Sequence, residues 1–327
     1  MAYQNGTATS PADLLNQLVT FLSSNGWTVN QNTLSGSNRR VHLLKSGIYV
    51  NLFAAIGVGS QPWVTNQNPT LSTFGAINLY LGSGYNGGNA WNNQPGGPII
   101  NGGSDTLGVG TQLSSGAITG YHFFLDGSDN FVAVIEKTSG IFRYFGWGTL
   151  SKAGSYTGGQ YFFSEFAAFA VSYNGTNVPG VDQQCWSPFA SGDQAFNAAT
   201  VFVRADVDSF TGKWIGLTKD TLHPPYWGYT GKFGYSSTPG QNAVAPDASI
   251  PNYVNFDKRT VPSLTGQANM LPFRLWVARD AGGSSLLGEP VGIYACMGTW
   301  TGYAPGDEVL YGADTYKLFP WFAVKKV

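Results

Sequence analysis

The chain has 327 residues, with 17 Lys and Arg against 18 Asp and Glu and a formal net charge of -1. Charge so balanced and so sparse, 11% where about 25% is ordinary, supplies neither a basic field for nucleic acid nor a polyanionic tail. At 43% hydrophobic and 15% aromatic the sequence also lies outside the range of disordered chains.

From the N-terminus, MAYQNGTATS has neither a basic n-region nor an apolar h-region, so no secretory signal is expected there. Ser10-Pro11-Ala12-Asp13 then reads as a helix opening, with Ser10 as N-cap, Pro11 at the first helical position and Asp13 near the positive end of the dipole. Leu14, Leu15, Leu18, Phe21 and Leu22 recur at helical spacing, and Gly26 is placed to end the helix in a left-handed conformation. Strand composition comes next at 27–29, 40–45 and 48–54, with Ser46-Gly47 as a turn. Residues 1–60 are thus expected to form a helix plus β-hairpin module. His42 falls inside one of its strands and reads as an ordinary strand side chain rather than a catalytic one.

A shift to Asn, Gln, Ser and Pro after Gly59 suggests a boundary, and 61–180 reads as a β-rich body. Its most unusual stretch is 80–110, YLGSGYNGGNAWNNQPGGPIINGGSDTLGVG, in which Gly and Asn surround Tyr80, Tyr85 and Trp91 with almost no charge. A loop beyond roughly 15 residues that carries buried-type aromatics is expected to be ordered and to serve recognition or assembly. Residues 121–150 read as a three-stranded antiparallel meander turning at Asp126-Gly127-Ser128-Asp129. Its central strand, Phe131-Val132-Ala133-Val134-Ile135, is apolar on both faces, which implies cover on both sides by a second sheet or a neighbouring subunit. The DGSD turn lacks the remaining ligands and closing glutamate of a calcium loop.

The remainder, 181–327, reads as a second β-rich part that shares one body with 61–180 or stands beside it. Residues 162–173 are apolar and ambiguous between helix and strand, whereas 199–205 and 213–217 form a strand pair. Asp206 and Asp208 on the intervening turn suit backbone hydrogen bonding better than acid/base work. Cys185 and Cys296 have no metal-ligand spacing and read as buried thiols, with a disulfide left open for an oxidising compartment. Residues 221–250 hold a Pro/Tyr/Trp cluster around Tyr226 and Trp227, with His223 beside it. The chain has no G-x-S-x-G, no H-E-x-x-H and no phosphate-cradling glycine loop, so neither catalytic residues nor a metal or cofactor is expected. Glycosidase carboxylates have no fixed local spacing, and a glycan-cleaving enzyme stays as an alternative. No apolar run approaches the ~20 residues of a membrane-spanning helix. Strands resume at 272–279, 285–287, 291–297, 309–311 and 316–319. The fold class is mainly β, in antiparallel sheets of sandwich or barrel type, with an N-terminal helix.

Four segments carry a resemblance that spans nearly the whole chain: S-P-A-D-L-L with G-W-T after it, Y-N-G-G-N-A-W-N-N-Q-P-G-G-P, G-I-F-R-Y-F-G-W-G, and P-G-D-E with G-A-D-T-Y-K-L-F-P. They resemble a family of tailed-bacteriophage virion structural proteins. The resemblance implies a non-enzymatic tail, neck or baseplate component, assembled in the host cytoplasm, homo-oligomeric and in contact with other virion proteins. Tyr85, Trp91, Tyr226 and Trp227 are then the expected interface anchors. The alternative is a receptor-binding module that recognises host surface glycan through the same aromatics.

Overall fold

The computed structural model describes residues 1–56, 74–98, 108–164, 166–167, 201–206, 214–217, 229–230, 271–272, 275–278, 284–295, 303–319 and 322–326. The first elements are β1 (Ala2–Ala8), α1 (Pro11–Ser24), β2 (Thr28–Ser35), β3 (Asn38–Lys45), β4 (Ile48–Ile56), β5 (Phe74–Gly82), β6 (Val109–Ser114), β7 (Ile118–Leu125), β8 (Phe131–Thr138) and β9 (Ile141–Thr149). Both ends of α1 form as the sequence predicts. Ser10 Oγ accepts from Asp13 N at 3.1 Å, and Asp13 Oδ2 in turn accepts from Thr9 N at 2.9 Å. At the other end Gly26 has φ +84°, which only glycine adopts without strain. That turn lets Gly26 N reach Ser23 O and Trp27 N reach Leu22 O, the paired bonds of a Schellman ending.

A six-stranded sheet runs in the order Phe166–Ala167, β6, β5, β4, β3, β2, and a seven-stranded sheet in the order β1, β7, β8, β9, Gly158–Ser164, Val201–Ala205, Trp214–Leu217. Every neighbouring pair in these two sheets is antiparallel. The chain passes from one sheet to the other at 164–166. There Ser164 Oγ donates to Gly110 O at 2.7 Å and Thr111 Oγ1 donates to Tyr144 O at 3.0 Å, so buried hydroxyls pin the two sheets together. A five-stranded sheet collects Leu271–Pro272, Ile293–Ala295, Phe322–Lys325, Asp314–Phe319 and Glu308–Tyr311, and a four-stranded one collects Ser151–Lys152, Ser284–Glu289, Leu275–Ala278 and Tyr229–Thr230. The architecture is mainly antiparallel β with one N-terminal helix. The sheets are open, so the barrel form of the expectation is not adopted.

The meander β7–β8–β9 is the spine of the molecule. Alternation sends Phe131, Ala133 and Ile135 into a core shared with α1 and the inner face of the six-stranded sheet. Val132 and Val134 point into a second core with Leu275, Phe319 and Phe322. Cover on both faces of β8 therefore comes from the same chain. The expected 1–60 module is not self-contained, because β1 pairs along β7 and β4 pairs along β5. Strand β1 has no strong apolar alternation and no local signal announces it; its pairing is decided by β7, which lies more than a hundred positions further along.

Candidate functional site

The outer face of the six-stranded sheet carries the glycine- and asparagine-rich loop 83–98. Register aligns Arg40 with Phe53, His42 with Asn51, Phe53 with Asn78 and Asn51 with Tyr80, so these side chains share that outer face. The inner face is left to Val41, Leu43, Val50, Leu52, Ile77 and Leu79, all fully buried. An outer face so aromatic and polar needs cover, and the loop supplies it.

Three buried side chains hold the loop. Tyr80 donates its hydroxyl to Trp91 O and accepts from Gln94 N at 3.1 Å. Trp91 stacks on Phe53 at 5.0 Å with an interplanar angle of 10°. Gln94 works from within: its Oε1 accepts from Asn86 N at 2.7 Å, and its Nε2 donates to Asn86 O and Ala90 O at 3.0 Å each. The loop closes where Ser83 N donates to Pro95 O at 2.8 Å. A Cβ on Gly82 would meet that same carbonyl oxygen at 2.6 Å, so glycine is required at this close approach. A further tether comes from the seven-stranded sheet, where Trp214 Nε1 donates to Gly96 O at 2.8 Å.

Beneath the loop, Arg40 Nη2 donates to Asn89 O, and Arg40 Nε donates to His42 Nε2 at 2.9 Å. This second bond fixes the tautomer. Nε2 carries the lone pair, so Nδ1 carries the hydrogen and donates it to Asn51 Oδ1. Tyr85 lies over the imidazole at 5.0 Å and reaches Gln31 Oε1 with its hydroxyl at 3.4 Å. Burial pushes the His42 pKa down to about 4; the Asn51 hydrogen bond opposes the shift, and the Arg40 charge adds to it. Burial also lowers the pKa of Arg40 from its ordinary value.

The sequence-predicted residues therefore separate. Tyr85 and Trp91 are both brought to the loop, but Trp91 is only 7% exposed and its ring is spent on Phe53 and Tyr80. Trp91 holds the loop down, and its ring is not turned outward. Tyr85 is half-buried. Tyr226, Trp227, His223, Asp208, Cys185 and Cys296 lie outside the described residues. What the loop turns outward is Ser83, Asn86, Gly87, Gly88, Ala90, Asn93, Pro95 and Gly96, with no charge among them. Arg40, His42, Asn51 and Gln94 escaped the sequence reading as loop supports. The alternation of β3 and β4 placed the first three on one face, but nothing local says what lies above that face.

The DGSD turn is a clasp. Asp126 Oδ1 accepts from the backbone N of Ser128 and of Asn130, each at 2.8 Å, and Asp126 Oδ2 accepts from Asn130 Nδ2 at 2.7 Å. Asp129 pairs with Lys45 at 2.7 Å, and the same ammonium donates to Asn25 O at 2.9 Å, which ties the end of α1 to the turn. Among the described residues no group of three or more His, Cys, Asp or Glu is placed to hold a metal ion. No helix among them is long and apolar enough to cross a membrane. No protein-family model and no curated protein matches the sequence.

Proposed function

We propose that the chain is a non-enzymatic structural component of a tailed-phage virion, in the tail, neck or baseplate region, working through permanent contacts between its own copies and with other virion proteins. The observation that carries this reading is the build of loop 83–98. Its aromatics turn inward and its outward surface is small, uncharged and rich in backbone, on a frame fixed from beneath by Tyr80, Trp91, Gln94 and Arg40. A pre-ordered surface of that kind loses little entropy on docking and has few charges to desolvate, which suits a permanent protein contact. A sugar platform at this loop would turn its rings outward, and a glycosidase site here would bring paired carboxylates to the surface. The four sequence segments that resemble virion structural proteins include this loop.

The test is whether the protein is found in purified particles, and whether Ala90→Lys with Asn93→Lys keeps it out. Both side chains are exposed, so the variant is expected to melt like the parent chain while its incorporation into particles falls at least tenfold. Particles that incorporate the variant normally but no longer adsorb to cells would favour the receptor-binding reading. Absence of the protein from particles would end the structural one.

A further inference from the structure

We infer that the free edge of β2 is a self-association surface, on which a second copy of this chain pairs antiparallel about a two-fold axis through Asn32. Among the described residues β2 is the last strand of its sheet, hydrogen-bonded to β3 alone. An open edge is a template for another strand, and chains that must stay apart block it with lysine, proline or inward charge. The eight residues TVNQNTLS contain neither charge nor proline, and six of them are exposed. The β2 residues of two copies laid edge to edge oppose no like charges; the Arg39 guanidinium of β3 is engaged by Asn32 Oδ1 at 2.6 Å.

The register is set by a bulge. Val29 pairs with Leu43 and Gln31 with His42, so Asn30 is an extra residue that shifts the alternation of β2. Val29 and Leu34 are five positions apart and would point to opposite faces of a regular strand. Across the bulge they share a face with Asn32, whose partner is Val41, while Gln31 and Thr33 share the other. They are also the exposed apolar residues of β2, at 37% and 55%. Residues opposite each other in an antiparallel pair must lie on the same face. Centring the pair on Asn32 satisfies this along the whole strand. Asn32 meets its own copy, Gln31 meets Thr33, the Val29–Asn30 bulge meets Leu34, and Thr28 meets Ser35. In that register each exposed Leu34 is covered by Val29 of the other copy. A slip of one residue sets the two faces against each other, and a slip of two leaves Leu34 opposite a polar residue.

A lone strand pair is marginal in water, so this contact acts as one of several in a larger assembly. It gives a molecular form to the homo-oligomer of the proposed function and rests on that reading for its biological setting alone.

Cysteine cross-linking of the full chain tests the register. Asn32→Cys is expected to give a covalent dimer with a short bis-thiol reagent at least tenfold faster than Thr20→Cys, an exposed position on α1, with the parent chain setting the background from Cys185 and Cys296. Val29→Cys and Leu34→Cys should each cross-link poorly alone and efficiently when mixed. Asn32→Lys sets two ammonium groups face to face on the axis and should weaken self-association. Because it also removes the Asn32 bonds to Arg39 at 2.6 Å and Asn16 at 3.3 Å, it is compared with Asn32→Ala, which loses the same bonds without adding charge and should keep the self-association. If Asn32→Cys reacts no faster than Thr20→Cys, or if Val29→Cys and Leu34→Cys gain nothing on mixing, the assignment is wrong. That result leaves the virion reading standing if the protein is found in particles, whereas cross-linking by a protein absent from particles would keep the edge contact and remove its virion role.

Discussion

At His42 three neighbours from three elements settle one proton. Arg40 donates into Nε2, Asn51 accepts from Nδ1, and Tyr85 closes the top. A second proton on Nε2 would face the guanidinium, so the folded chain holds the ring neutral down to about pH 4. His122, half-buried between the seven- and five-stranded sheets, is pushed down to about 4 in the same way, by burial first and then by Lys317. For a base with a lowered folded pKa, the unfolded chain takes up its proton first as pH falls. Stability is unaffected above about pH 6.5, declines as pH falls through the window from about 6.5 to about 4, and levels off below it. For the fully buried His42 the accumulated loss is about 3 kcal/mol. Denaturant melts between pH 7 and 4 should show this slope, and His42→Gln should reduce it by about one proton. An unchanged slope in the variant would mean that His42 titrates normally in the folded chain. The strand position of His42 was legible in the alternation of 40–54. Its neutrality was not, because the loop that buries it starts some forty residues later.

At the scale of elements, α1 and loop 83–98 behave differently as sequence. The helix is written locally: cap, periodic apolar face and C-terminal glycine lie within about one turn of where each acts, and all form as expected. The loop is written only in part. Its glycines and asparagines mark the stretch, and Tyr80, Tyr85 and Trp91 mark it as ordered. The inward direction of Trp91 depends on the groove beside Phe53, which β4 and β5 create by pairing. Gln94 carries no such mark, yet it is 4% exposed and bonds to backbone atoms at both Asn86 and Ala90. Gln94→Ala takes the acceptor from Asn86 N and leaves Asn86 O and Ala90 O with only the backbone donors Asn89 N and Asn93 N, which should lower the free energy for opening the loop by about 1–3 kcal/mol. Hydrogen exchange checks this: the amide of Asn86 should exchange at least fivefold faster, with protection in β7 and β8 unchanged. Equal protection of Asn86 in both chains would show that Tyr80 and Trp91 hold the loop without it.

At the scale of the whole molecule, β1 joins parts that the sequence keeps far apart. It closes one edge of the seven-stranded sheet, Gln4 Nε2 donates to Tyr121 Oη at 2.8 Å, and Tyr3 Oη meets His122 Nδ1 at 2.8 Å. The Tyr3 ring also lies under the Lys326 ammonium at 4.9 Å, so β1 links the meander to the five-stranded sheet. Deleting residues 1–8 should expose the full edge of β7, lower the melting temperature and produce aggregates by light scattering. A truncated chain that stays monodisperse and melts unchanged would make β1 dispensable. The two-sided burial of β8 shows both kinds of information at once. Its run of apolar residues announced cover on both faces, but whether a second sheet or a second chain provides it was settled only when Val132 and Val134 met Phe319 and Phe322. The sequence by itself determined the features that short-range rules govern: the helix and its caps, the hairpin turns, the strand faces, and the sparse charge that leaves so neutral a surface. Tertiary structure alone decided the place of β1, the inward turn of Trp91, the neutral His42 and, among the described residues, the open edge at β2. Each of these depends on contacts between segments tens to hundreds of positions apart, whose pairing is chosen by the burial of the whole chain and by no local preference.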